Sequence, residues 1–292
     1  MFKRVGLFLL TNLAVMFVLG VIVRVLGVDR FLTQNGLDLG QLFVFALIFG
    51  FSGSMISLLM SKQMAKRSVG ARVIEKPNSS EEAWLLKTVE HLSSRAGIAM
   101  PEVAIFEDMS PNAFATGAFK NSALVAVSRG LLHTMSKNEV EAVLAHEIGH
   151  VANGDMVTLS LLQGVVNTFV IFFARIIGFI VDRALSKDKN NNRVGAGYMV
   201  ASMVAEVVLG ILASLIVRAF SRYREYRADY AGATLSTPAN MIAALEALKR
   251  GHSSSNLPES VKAFGINGDS LKALFSTHPS LDDRIARLKK LD

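Results

Sequence analysis

Cysteine is absent from these 292 residues, so disulfides, thiolate metal ligands and cysteine nucleophiles are all excluded. Charge is sparse as well: Lys, Arg, Asp and Glu make up 19% of the chain, against 51% for hydrophobic residues. The resulting mean hydropathy of +0.39 is high for a water-soluble protein and points to a membrane. A net charge of +7 would suit a nucleic-acid binder, yet no arginine–aromatic stripe or nucleic-acid motif accompanies it. In a membrane protein, cytoplasmic loops collect Lys and Arg, so no nucleic-acid partner is expected. Internal repeats are also missing, and the one low-complexity tract is the asparagine run at 190 to 192.

What the chain does have is long uncharged runs. Val5 to Val23 gives 19 residues and Leu39 to Met60 gives 22, both above the roughly 18 that suggest a membrane helix. A signal peptide is the rival for the first run, but no small-residue cleavage site follows it. The link between the runs carries Asp29, Arg30 and Asp38, whereas Lys62, Lys66, Arg67, Arg72 and Lys76 follow the second. This asymmetry places both the N-terminus and the chain after residue 61 in the cytoplasm. Met156 to Ala174 and most of Val194 to Val217 are apolar again, though Arg175 and Glu206 fall inside or beside them. Each charge at mid-bilayer would cost about 3 kcal/mol. A hairpin turning in "DRALSKDKNNNR" sets Arg175 and Glu206 at similar depth, where they are expected to pair. The alternative is two hydrophobic helices lying on or beside the membrane.

Residues 77 to 155 read as soluble. Ser79 with Glu82 forms a capping box opening a helix to about Ala96, and Ser136 with Glu139 opens another that Gly154 is placed to end. "PEVAIFED" and "SALVAVSRG" look like short strands. Further on, Thr237 and Pro238 suit the start of a helix ending at Gly251, "NLPESVKAFGINGDS" is a surface loop, and Ser280 caps a closing basic helix.

The stretch "VLAHEIGHVANGD", residues 143 to 155, carries the chemistry. Residues four apart share a helix face, so His146 and His150 can reach one ion while Glu147 turns aside toward a water. A zinc ion that does chemistry takes three protein ligands and keeps one position open. A third histidine six residues on is excluded, because that position is Met156. A nearby downstream glutamate is excluded too, since no acidic residue lies between Asp155 and Asp182. If residues 156 to 181 leave the cytoplasm and 194 to 217 return, positions 155 and 221 emerge at one membrane face. The returning chain then delivers Glu225 and Asp229, again four apart. Glu225 would complete a His-His-Glu set for one Zn2+ per chain, and Asp229 would accept the free ring N–H of a ligating histidine. The bland alternatives are surface histidines on an amphipathic helix and, for Glu225, surface ion pairs with Arg222, Arg224 and Arg227.

The segments "AHEIGHVANGDM", "SRYREYRADYAGA", "PNAFATG" and "STHPSLDDRI", with two apolar segments on each side of the zinc helix, resemble the HtpX family of bacterial membrane zinc endopeptidases, relatives of the eukaryotic CAAX prenyl proteases. The resemblance covers essentially the whole chain. It implies an inner-membrane protein with active site and both termini in the cytoplasm, cleaving misfolded membrane proteins and unfolded polypeptides alongside other quality-control proteases. It also implies that His146, His150 and Glu225 bind zinc and that Glu147 is the catalytic base. His278 resembles a position that approaches the site and would supply an oxyanion donor, the alternative being a turn residue beside Pro279. "PNAFATG" would form an edge strand for substrate, with Asn112 gripping its backbone and Ala113, Phe114 and Ala115 lining the pocket, unless Pro111-Asn112 is only a turn. His91, His133 and His252 have no partner spacing and receive no role.

The expected fold is mainly α with a small β-sheet, multi-pass membrane helices carrying a cytoplasmic zincin-type metalloprotease domain. Residues 1–60 would be two membrane helices, 61–155 the first half of the protease domain, 156–220 a hydrophobic hairpin and 221–292 the second half. The rival function is a catalytically silent zinc-binding membrane scaffold, which would need a fourth protein ligand and no base. A prenyl-peptide protease would need an intramembrane chamber that four helices are too few to enclose.

Overall fold

A computed structural model describes residues 37–185, 195–253 and 278–291. The uncharged run at 5 to 23, its orientation, most of the turn at 182 to 193, and the surface loop starting at Asn256 lie outside the described residues. By its own contacts the chain divides into two units, one of residues 1–56 and 160–216, the other of 57–159 and 217–292. The fold is mainly helical with one small mixed sheet.

Three helices among the described residues are long and apolar enough to cross a membrane: α1 (Leu39–Ser68), α5 (Asp155–Leu185) and α6 (Ala196–Leu235). Within the first unit they approach closely through small residues, as helices do where no water drives them together. A Cβ on Gly50 would sit 2.6 Å from the Thr168 backbone nitrogen, so only glycine allows α1 and α5 to touch there. Ser160 on α5 donates to the Ser54 carbonyl on α1 at 2.7 Å, and Leu42, Ala46, Phe172, Ile176 and Phe179 fill the space between these helices. Arg175 and Glu206 stand 3.8 Å apart, the pairing expected from their equal depth. Asp182 accepts from the Gly195 and Tyr198 backbone N–H groups and so caps α6.

Helix α6 does not stop where its hydropathy stops. It runs 40 residues without interruption through Val217 into the charged stretch. No proline occurs until Pro238, and the intervening Arg, Glu and Ala residues are good helix formers, so nothing ends it sooner.

The second unit is built on a four-stranded sheet of β1 (Arg72–Val73), β2 (Glu102–Phe106), β3 (Ala113–Thr116) and β4 (Leu124–Ser128) in the order β1-β2-β4-β3. Strands β2 and β4 pair in parallel, Ala104 opposite Ala126, and are covered on both faces. Strand β3 pairs antiparallel with β4 and forms one edge. One face packs on α2 (Ser80–Arg95), α3 (Arg129–Thr134), α4 (Lys137–Asn153), α7 (Pro238–Ser253) and α8 (Leu281–Leu288) through Leu85, Val125, Leu144, Ile148, Leu245 and Ile285.

The caps form as hydrogen-bonding rules require. Ser136 and Glu139 make a reciprocal capping box at the start of α4. At α2, Ser79 accepts from the Glu82 N–H, but the Glu82 carboxylate reaches past it to the Asn78 N–H at 2.8 Å and to Arg72. Thr237 accepts from the Asn240 N–H, and Ser280 from that of Asp283.

Candidate metal centre

Helix α4 fixes the geometry first. Its capping box sets the start, Gly154 in the left-handed conformation (φ 65°) sets the end, and between them His146 and His150 share one face with ring centroids 4.8 Å apart. Helix α6 lies close to this helix where Gly149 leaves room: a Cβ there would be 2.7 Å from the Ala231 Cβ. On α6 itself, the place of a Gly232 Cβ is in ordinary contact with the His146 Cα at 3.4 Å, with Met241 Sδ nearer at 2.8 Å. The close approach brings Glu225, only 2% exposed, to both imidazoles: Oε2 is 3.5 Å from His146 Nε2 and Oε1 is 3.4 Å from His150 Nε2.

These donor atoms all lie within 4.8 Å of one another. A tetrahedral ion with ligands at about 2.1 Å has donor–donor edges of about 3.4 Å, so a set of this size needs only small side-chain adjustments to close on one ion. The chemistry fits as well as the spacing. Glu225 Oε2 is buried without a well-aligned hydrogen-bond donor. Burial alone would raise the Glu225 pKa, yet His146, His150 and His278 hold it far below the ordinary carboxylate range. Burial opposes protonation of the histidines too, yet Asp229 and Glu225 raise His146, and Asp155 and Glu225 push His150 up to about 9. Each shift favours positive charge at the point where the three side chains meet, and a divalent cation answers that demand. The set can hold a metal ion.

Around this cluster the structure places further groups. Asp229 Oδ1 is 3.0 Å from His146 Nδ1, off the line of a well-aligned hydrogen bond. The same carboxylate takes a bidentate pair from Arg284, Nε to Oδ2 at 2.8 Å and Nη2 to Oδ1 at 2.6 Å. Asp155 Oδ2 lies 2.8 Å from His150 Nδ1. Neither Asp155 nor Arg284 stood out in the sequence. The only available signals were an aspartate directly after the helix-ending glycine, and an arginine one turn after the Ser280 cap.

A cavity of 840 Å³ opens beside the cluster. His146, Glu147, Glu225 and His278 line it, with Leu131, Val143, Met241 and Leu245 as an apolar wall and Asn112 and Ala113 at the strand side. Glu147 is half-buried there. The His278 side chain is 62% exposed and its Nδ1 is 2.9 Å from Glu225 Oε2. The expectation that Ala113, Phe114 and Ala115 all line the pocket needs correcting. Of the three only Ala113 lines the cavity; alternation turns Phe114 away, and Ala115, on the same face as Ala113, lies further along the strand. Phe114 points to the opposite face of the sheet, 5.7 Å from the Phe106 ring, and Ala115 packs on the core.

Comparison with known proteins shows the family. Residues 79–292 match the model of peptidase family M48. Among curated relatives, a "Protease HtpX homolog" of Janthinobacterium sp. (strain Marseille) is 57% identical over 291 residues, 99% of either chain. The "Protease HtpX" of Cellvibrio japonicus (strain Ueda107) is 56% identical over 289 residues, 98% of either chain. A crystal structure of S. mikatae Ste24p superposes with a TM-score of 0.64 at 18% identity, over 99% of this chain and 67% of that one, and so shares the fold. With three apolar helices of membrane-crossing length, the protein is a multi-pass membrane metalloprotease. The chain belongs to peptidase family M48 and, within it, to the HtpX proteases.

Proposed function

We propose that the protein is a zinc-dependent endopeptidase of the bacterial inner membrane, with its active site and both termini in the cytoplasm, that cleaves misfolded membrane proteins and unfolded polypeptides. The observation carrying this reading is the His146–His150–Glu225 set, of which His146 and Glu225 line one cavity with Glu147. Zinc is the metal that best suits two imidazoles and a carboxylate with one position left for chemistry. When bound, it supplies Lewis acidity toward the scissile carbonyl and makes water a better nucleophile near neutral pH. Glu147, facing the same cavity, would take a proton from the attacking water and later pass it to the leaving amine. His278, lining the same cavity, offers an N–H to the developing oxyanion.

Substrate is held as an added strand. Strand β3 lies at the sheet edge beside the cavity, so an extended peptide can pair main chain to main chain without its sequence being read. Asn112 and Ala113 flank that path, and the wall of Leu131, Val143, Met241 and Leu245 receives an apolar side chain. Such a site suits unfolded segments, whose apolar residues are exposed and whose backbone is free to extend. The cytoplasmic placement rests on the five basic residues at 62 to 76. Shared substrates make other quality-control proteases the expected functional neighbours.

The test is proteolysis switched on by zinc. Protein purified metal-free in detergent is mixed with casein, with and without zinc, beside Glu147→Ala. Cleavage by the parent alone, with zinc bound equally by both, is the expected result. If neither protein cleaves while both bind zinc, the metal serves structure and the scaffold reading replaces this one.

A further inference from the structure

Helix α4 ends at Gly154, and Asp155 opens α5. Had the helix continued, residue 155 would lie five positions beyond His150, about 140° further round the axis and facing away from it. The left-handed Gly154 turns the chain instead. The Asp155 carboxylate comes back to the imidazole, Oδ2 2.8 Å from Nδ1, in a place where Asp155 is only 1% exposed. A carboxylate can only accept, so Nδ1 carries a proton toward Asp155 and the ring is turned with Nε2 toward Glu225. Two features hold Asp155 in place. Its main-chain carbonyl accepts from Arg224 Nη1 at 3.3 Å, and its negative charge sits at the N-terminus of a 31-residue helix. Arg224 directly precedes Glu225 on α6 and also donates to Ser221 at 3.1 Å.

We propose that Asp155 is a positioning residue of the metal site, fixing the tautomer and ring orientation of His150, and that Arg224 ties this to the helix carrying Glu225. The inference rests on the reading of His150 as a metal ligand. It completes a symmetry in the site, because each histidine then has its own carboxylate behind it, Asp229 for His146 and Asp155 for His150. The two are not equivalent. Asp229 is shared with the bidentate Arg284, whereas Asp155 is set by a backbone break and a main-chain clamp.

The full-length protein in detergent, with Asp155→Asn and Asp155→Ala, is titrated with zinc against a chromophoric chelator at fixed pH. Visible spectra are recorded with Co2+ in place of zinc, and melting is followed without metal. The Ala variant is expected to bind zinc ten- to a hundredfold more weakly and to show altered Co2+ bands. The Asn variant, which keeps an acceptor oxygen in the same shape, loses less affinity and melts metal-free near the parent. A purely structural Asp155 gives the opposite pattern: lower metal-free melting, with zinc affinity within twofold of the parent and unchanged Co2+ bands. That pattern overturns the proposal, and if the Ala variant does not fold the Asn variant decides alone. A parent that binds no zinc removes the metal reading and this inference with it, an outcome distinct from equal binding by all three proteins.

Discussion

At the scale of single residues, the candidate metal centre is a set of buried charges that are each answered. Two histidines and a glutamate meet at one point, two aspartates stand behind the histidines, and Arg284 neutralises one of those aspartates. Elsewhere in the same unit Glu82 shows the logic in simpler form. The Asn78 N–H and then Arg72 lower its pKa, with burial opposing them. A carboxyl whose folded pKa lies below its unfolded value contributes stability above the unfolded value of about 4.3, and that contribution is lost as pH falls through the folded value. Glu82→Gln is therefore expected to melt below the parent at neutral pH, with the gap closing under acid. Parallel melting curves at both pH values check this; a gap independent of pH would count against it. The spacing of His146, Glu147 and His150 was legible in sequence because i and i+4 is a local rule. The places of Asp155 and Arg284 were not. One depends on the direction the chain takes after a left-handed glycine, and the other on how α8 packs against α6.

At the scale of elements, hydropathy located the apolar runs but carried no information on how far each helix continues beyond them. Helix α6 spans 40 residues across the change of composition at Val217, because helix propensity does not change there. Glu225 thus lies on the same helix as the apolar stretch before it. A proline at Ala219 would break that helix at a cost of about 3 kcal/mol and release Glu225 from its register. Ala219→Pro is accordingly expected to bind zinc at least tenfold more weakly than Ala219→Gly, in chelator competition. Equal affinities would mean that contacts within the second unit place Glu225 unaided. The strand that borders the cavity was legible as a strand, yet not which of its residues face the cavity. Alternation is certain from sequence, but its phase is set by the register of β3 on β4, Phe114 opposite Ala126.

At the scale of the molecule, a metal that binds only the folded second unit stabilises that unit and no other. Zinc at a hundredfold excess over its Kd would contribute about 2.7 kcal/mol. The sole tryptophan, Trp84, packs against the core of this unit and reports on it. Chelation is expected to lower the melting transition seen by Trp84 fluorescence while leaving the loss of total helix in the apolar helices unmoved. A Trp84 transition indifferent to chelator would mean that the three side chains contribute no net binding. The fold class was legible at this scale, because the alternation of apolar and amphipathic stretches dictates membrane helices carrying a mixed α and β unit.

The long interval between the histidines and Glu225 also has a meaning in time. A ribosome adds about 5–20 residues each second, so the 75 positions from His150 to Glu225 take several seconds to emerge. Throughout that interval the nascent chain carries two histidines and a glutamate that have no third partner. The segment made meanwhile is the pair of apolar stretches bound for the lipid. Biosynthesis thus keeps the three-residue cluster in pieces until the second set of apolar stretches has been made.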